Sequence, residues 1–207
     1  MKIEIWSDVV CPWCYIGKRR LEHALTEFDH ADEVEITWRS FQLHPEAPRN
    51  EAIPTLRYLT TRFGSQATQM SARVAAIAKG EGLDFDFEKS LTFNTFDAHR
   101  LLHLAADLSV ADAAKERLLH AYFIEGADLS DSDTLIALMK EAGADSDRAR
   151  QVLDSDEYAD AVRADIEEAR QLGANGVPFF VIDRKYGISG AQPAETFLQA
   201  LRTAHGA

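Results

Sequence analysis

Cys11 and Cys14 are the chain's only cysteines, and they stand where one backbone pattern gives way to another. Before them, Lys2 to Trp6 alternates apolar and polar residues with β-branched side chains, which reads as a short strand. After them, Leu21, Ala24, Leu25 and Phe28 fall at i, i+3, i+4 and i+7, the stripe of a helix. Pro12 suits the first turn of that helix, where its missing N–H costs no intrahelical bond. The chain therefore opens strand, cysteine pair, helix, with the pair at the helix start.

The same alternation returns from Glu33 to Phe41, where Val34, Ile36 and Trp38 oppose Glu35, Thr37 and Arg39. From about Pro54 to Leu172 the pattern is helical, with almost no strand signal. Leu101, Leu104, Ala105 and Leu108 form one stripe, and Leu118, Leu119, Tyr122 and Phe123 another. Leu135, Leu138, Met139 and Ala142 form a third, opened by Ser130 or Asp131 as N-cap, and Tyr158, Val162, Ile166 and Ala169 a fourth, stopped near Gly173. Strand character resumes at Phe179–Ile182 and Tyr186–Ile188, with Asp183-Arg184-Lys185 as a hairpin turn. Pro193 opens a last helix bearing Phe197, Leu198 and Leu201. The order is βαβ, a long helical block, then ββα. The outer pieces make one small mixed sheet, and the block sits between its halves.

At 207 residues and 46% hydrophobic, the chain can bury a sizeable core. The net charge of −12 repels phosphate backbones and anionic membrane surfaces, so neither nucleic acid nor membrane is expected as a partner. Met1–Trp6 lacks the basic start and apolar stretch of a secretory signal. No apolar run approaches the ~18 residues that would span a bilayer. The expected compartment is the cytoplasm. There a lone pair of cysteines is more often redox-active or metal-binding than a structural staple.

A Cys-x-x-Cys at a helix start has a physical logic. The first sulfur meets unpaired N–H groups and the positive end of the helix dipole, which favours its thiolate. The second lies on the same helical face, within disulfide reach. The first thiolate can attack a disulfide, and the second can resolve the mixed disulfide. Two bland readings stand beside this one, an inert disulfide and half of a zinc site. Zinc needs two further ligands, and His99 and His103 at i, i+4 are the candidates. Arg100 follows His99 where the zincin pattern has Glu.

Four separated segments, SDVVCPWCYIGKRRLE, WRSFQLHP, NTFDAHRLLHLA and GVPFFVIDRKYGISGAQP, resemble the FrnE-like branch of the DsbA family. The resemblance implies an α/β chain with a thioredoxin-like fold and a large all-helical insertion. Its expected parts are a thioredoxin-like domain from residues 1–50 and 160–207 and an inserted helical domain from 51–159. It implies that Cys11 is the exposed attacking cysteine, that Cys14 resolves, and that Pro178 is cis and faces them. Val177 would then offer its backbone to an extended substrate segment, by strand addition. Related members include 2-hydroxychromene-2-carboxylate isomerases and kappa-type glutathione transferases, whose Asn-Thr-x-x-Ala-x-Arg-like segment matches Asn94–Arg100. Those relatives usually carry serine at the position of Cys11, so the pair here argues for disulfide chemistry.

The DsbA type has histidine where this chain has Trp13, and an indole cannot carry charge. The expected potential therefore lies between about −270 mV (thioredoxin) and about −120 mV (DsbA). Asp8 is either a proton shuttle for Cys14 or a turn aspartate. Trp6, Trp38 and Phe41 read as sheet core. Trp13 and Tyr15 are expected as an apolar rim around Cys11, and His44, Asn94 and His99 as further substrate contacts. No metal and no bound cofactor is required. The expected partners are protein or small-molecule thiols and disulfides, with glutathione as a co-substrate, and the sequence assigns no oligomeric state. Two competing functions remain, a glutathione-dependent isomerase or transferase and a peptide- or zinc-binding module.

Overall fold

The computed structural model describes residues 1–49 and 51–206. Asn50 and Ala207, which end two of the segments expected above, lie outside the described residues. Strand β1 (Lys2–Ser7) leads to helix α1 (Pro12–Thr26), a 3-10 turn at Ala31–Glu33 and strand β2 (Glu35–Ser40). Next come β3 (Ile53–Pro54), α2 (Thr55–Phe63), α3 (Gln66–Gly80), β4 (Leu91–Thr92), α4 (Phe96–Asp107) and α5 (Ala111–His120). A wide π turn at Ala121–Glu125 extends α5, and α6 (Ser132–Glu141), α7 (Ser146–Leu153) and α8 (Ala159–Gln171) follow. The chain ends with β5 (Phe179–Ile182), β6 (Tyr186–Ser189) and α9 (Ala194–His205). No helix among the described residues is long and apolar enough to cross a membrane.

The main sheet has the order β2-β1-β5-β6, with β1 parallel to β2 and antiparallel to β5. Its register places the site. Trp6 pairs with Phe179, so the end of β1, where the chain turns toward the cysteines, lies beside the start of β5, where Pro178 stands. Asp183 and Arg184, with φ of 49° and 58°, make the tight turn between β5 and β6, as the sequence pattern implied. The strand-poor middle holds one exception. Ile53–Pro54 pairs antiparallel with Leu91–Thr92, two residues each, too short to leave an alternation in the sequence.

The two larger apolar cores share helix α1. Ile3 and Ile5 of β1, Leu21 and Ala24 of α1, Phe180 of β5, and Phe197 and Leu201 of α9 form one. The stripes of α4, α5 and α6 form the other, and Val9, Tyr15 and Ile16 reach into it from either side of the cysteine pair. Most stripe residues are buried as their spacing implied, but Leu108, at the C-cap of α4, is 42% exposed. Asp131 is the N-cap of α6, accepting the Thr134 N–H at 2.8 Å. Helix α8 is tied to the sheet by Asp165, which accepts the Ser40 N–H at 2.8 Å and Arg39 at 3.1 Å. The Asp165 carbonyl takes the Trp6 indole N–H at 2.8 Å.

Candidate active site

Cys11 is the N-cap of α1, with φ −89° and ψ 113°, and Pro12 occupies the first helical position. No side chain caps this end, Pro12 has no N–H, and the Cys14 N–H, bonded to the Cys11 carbonyl at 3.0 Å, also favours the Cys11 thiolate. Both cysteines are free thiols. The Cys11 thiol donates to the Val177 carbonyl at 3.5 Å, and the Val177–Pro178 peptide is cis. Gly17, one turn into α1, is what permits this closeness. A Cβ there would stand 3.1 Å from Pro178 Cγ and 3.2 Å from Phe180 Cζ.

Cys11 is not the exposed thiol expected from the resemblance. It is 3% exposed, and it lines a cleft of about 420 Å³. One wall of that cleft is the cysteine segment with Gly176 and Val177. The other is the insertion, through Thr55, Tyr58, Leu59, Arg62 and Phe63 of α2 together with Phe87, Thr92 and Tyr122. Trp13, 37% exposed, lies at the rim as expected. A second cavity of about 400 Å³, between α2, α3 and residues 84–88, contains no cysteine and no histidine.

The other expected contacts divide. His44 lines the cleft, and Tyr58 Oη stands 3.0 Å from its Nδ1. Burial holds its imidazole below the ordinary value. Tyr15 is not on the rim. It is buried in the helical core, bonds Glu116 at 2.6 Å and stacks on Phe85. Asn94 shapes a loop away from the cleft lining, accepting from Gln42 and donating to the carbonyls of Pro45 and Ala47. His99 is fully buried, with Nε2 3.2 Å from Asp8 Oδ1. Asp8, also fully buried, takes the Leu43 N–H at 2.8 Å on its other oxygen. Trp6 is fully buried, while Trp38 and Phe41 are half-buried beside the sheet. His103 turns to Asp165, at 3.1 Å, so the two histidines at i, i+4 serve different carboxylates. Among the described residues, the one cluster spaced to hold a metal, His30, Glu33 and His205, includes neither cysteine.

The electrostatics reverse one expectation. The side-chain hydrogen bond shared with Cys14, with burial and the charges of Cys14 and Asp8, pushes the Cys11 thiol up. Burial alone would raise Cys14 too. The Cys11 thiol, the Lys115 ammonium, the Ser7 hydroxyl and the Asp8 N–H together pull it down. The two sulfurs are coupled, so their ionisations belong to the pair. Burial pushes the Asp8 carboxyl up, but the His99 hydrogen bond and charge and the Leu43 N–H outweigh it and hold it below its ordinary range.

Lys115 is the residue that sequence reasoning missed. It is 1% exposed, and its Nζ lies 5.4 Å from the centre of the Trp38 ring. Burial pushes its ammonium down, against the charges of Cys14, Asp8 and Cys11, which favour it. A signal existed, because Lys115 falls three and four residues before Leu118 and Leu119, on the apolar face of α5. Ser7 Oγ, buried without a nitrogen or oxygen partner among the described residues, also stands beside Cys14.

Comparison with known proteins agrees with this geometry. Residues 2–202 match the DSBA-like thioredoxin domain. The chain is similar to the crystal structure of a probable DsbA oxidoreductase, SCO1869 of Streptomyces coelicolor. The two are 45% identical with a TM-score of 0.95, over 100% of this chain and 90% of that one. It is 26% identical to YwbO of Bacillus subtilis over 204 residues, 96% of this chain and 94% of YwbO. The cytosolic disulfide reductase DsbM of Pseudomonas aeruginosa, solved with GSH, shares the fold at 18% identity and a TM-score of 0.68, covering both chains fully. With a strand–CPWC–helix opening, a mixed sheet and a helical block between its halves, this chain belongs to the DsbA-like thioredoxin family of oxidoreductases.

Proposed function

We propose that this protein is a thiol–disulfide oxidoreductase of the FrnE-like branch, exchanging disulfides through Cys11 and Cys14 in the cytoplasm. The observation that carries the reading is the placement of two free thiols at the N-terminus of α1, the outer one bonded to the Val177 carbonyl and open to a cleft.

In the singly ionised dithiol the two sulfurs share one proton, and with that proton on Cys14 the Cys11 thiolate attacks a substrate disulfide. A bond forms between Cys11 and one substrate sulfur, the substrate S–S bond breaks, and one thiolate departs. Cys14 then gives its proton to a departed thiolate and attacks the Cys11 sulfur, releasing the second. The substrate gains two electrons and the cysteine pair loses them. The products are one thiol, one thiolate and a Cys11–Cys14 disulfide. Asp8, held ionised, acts through its fixed charge beneath the sulfurs and not as the proton shuttle considered from sequence. Lys115 supplies the opposing charge. Reversal by another thiol, with glutathione as the first candidate, regenerates the dithiol, so oxidation, reduction and isomerisation share one pathway.

The test is equilibration against glutathione redox buffers, followed by Trp13 fluorescence, with Cys14→Ser as the trap. Reversible two-electron behaviour and an accumulating Cys11 mixed disulfide in the variant are expected. Glutathione-dependent turnover that survives Cys14→Ser would replace this reading with isomerase or transferase chemistry.

A further inference from the structure

The wall that buries Cys11 is built by α2, and its chemistry differs from that of the chain as a whole. The protein carries 34 acidic residues and a net charge of −12, yet among the described residues no carboxylate lines the cleft. Most of the lining is apolar, including Val10, Leu43, Leu59, Phe63, Phe87 and Val177. The one permanent charge in it is Arg62. Arg62 donates to Tyr58 Oη at 3.0 Å and has no carboxylate partner among the described residues.

Tyr58 Oη accepts from Arg62 and stands 3.0 Å from His44 Nδ1, which links the three side chains. The cleft therefore offers a guanidinium, an imidazole, an apolar floor and one sulfur. Its volume of about 420 Å³ falls in the range of sites for small organic ligands. With Cys11 at 3% exposure, an unaltered cleft gives little access to a disulfide on a folded protein.

We propose that the substrate of this cleft is a low-molecular-weight disulfide with an apolar flank and a carboxylate, and that Arg62 selects it by pairing with the carboxylate while Cys11 takes the sulfur. This rests on the exchange reading above and uses its electron balance unchanged. Guanidinium and carboxylate match as a fork on two oxygens, which a neutral disulfide of equal size cannot do.

The experiment compares stopped-flow rates of the reduced protein with two aromatic disulfides of similar size. One is the dianion 5,5′-dithiobis(2-nitrobenzoate) and the other is the neutral 4,4′-dithiodipyridine. Reduced N-acetylcysteine supplies the intrinsic ratio of their reactivities, and insulin serves as a protein disulfide. The protein is expected to favour the anion about tenfold beyond the free thiol. Arg62→Gln should cut that ratio about two- to fivefold, as loss of an exposed charge pair implies, and Arg62→Lys should restore part of it. A ratio equal to that of the free thiol, a ratio that Arg62→Gln leaves unchanged, or insulin reacting faster than either small disulfide would overturn the inference and leave the exchange reading standing. Silence toward all three disulfides is a different failure, which overturns the exchange reading and this inference with it.

Discussion

Removing the His99 imidazole should destabilise the protein far more than an average substitution does. Asp8 and His99 are both fully buried, and their bond crosses from the segment before Cys11 to helix α4. His99→Ala leaves the Asp8 carboxylate with the Leu43 N–H at 2.8 Å and the nearby Lys115 charge. A hydrogen bond to a charged group contributes about 1.5–3 kcal/mol. Leaving a buried polar group without its partner costs about 1–3 kcal/mol, and more where that group is charged. The buried Asp8 carboxylate puts the expectation at the upper end, about 3 kcal/mol. For a chain of this size that is a fall in Tm of about 6–12 °C. Scanning calorimetry at neutral pH measures it, with His99→Gln as the variant that keeps a donor and recovers about half. The pH dependence has a fixed sign. The folded state holds the Asp8 carboxyl below its ordinary 3.8, so the stabilisation is complete above that value and drains away as pH falls through the folded pKa. The gap between wild type and His99→Ala should therefore narrow in acid. A Tm within about 2 °C of wild type, or simple additivity of Asp8→Asn and His99→Ala where contacting residues should couple, would refute the reasoning.

Other outcomes follow from the charges around the sulfurs. Asp8→Asn removes a negative charge that raises Cys11, so the pH midpoint of Cys11 alkylation by iodoacetamide should move down; an upward shift would refute it. Lys115→Met withdraws the charge that favours the Cys14 thiolate, which destabilises the reduced pair and makes the potential more negative, by on the order of 30 mV per tenfold change in equilibrium. An unchanged potential would remove Lys115 from the redox centre. For the wild type, titration should give a value between about −270 and about −120 mV, and one at or above the upper limit would show that Trp13 does not weaken oxidising power. Gly17→Val should cost about 1–3 kcal/mol by overpacking against Pro178 and Phe180, measured by urea denaturation, with no loss expected if the Pro178 segment yields freely.

What the sequence made legible was local. The strand before Cys11, the helix after Pro12, the Asp131 cap and the turn at Asp183 each depend on neighbours within a few residues. The pairing of distant Pro178 with the cysteines came from motif resemblance and not from periodicity. What stayed hidden depends on where the helical block folds back. Tyr15 adjoins Cys14 in sequence, but its ring points into a core that α4 and α5 complete. Cys11 is sheltered because α2 closes over it, and no pattern near residue 11 encodes that wall. The cation beside Cys14 comes from α5, about a hundred positions away, and reads locally as an ordinary helical lysine.

The close approach of Gly17 to Pro178 has a mechanical consequence. Helix α1 carries the attacking sulfur, and the segment before β5 carries the carbonyl that this sulfur touches. Because no side chain separates them at Gly17, the two are seated against each other like parts of one joint. Nucleophile and docking carbonyl thus make one wall of the cleft between them, and α2 makes the wall opposite.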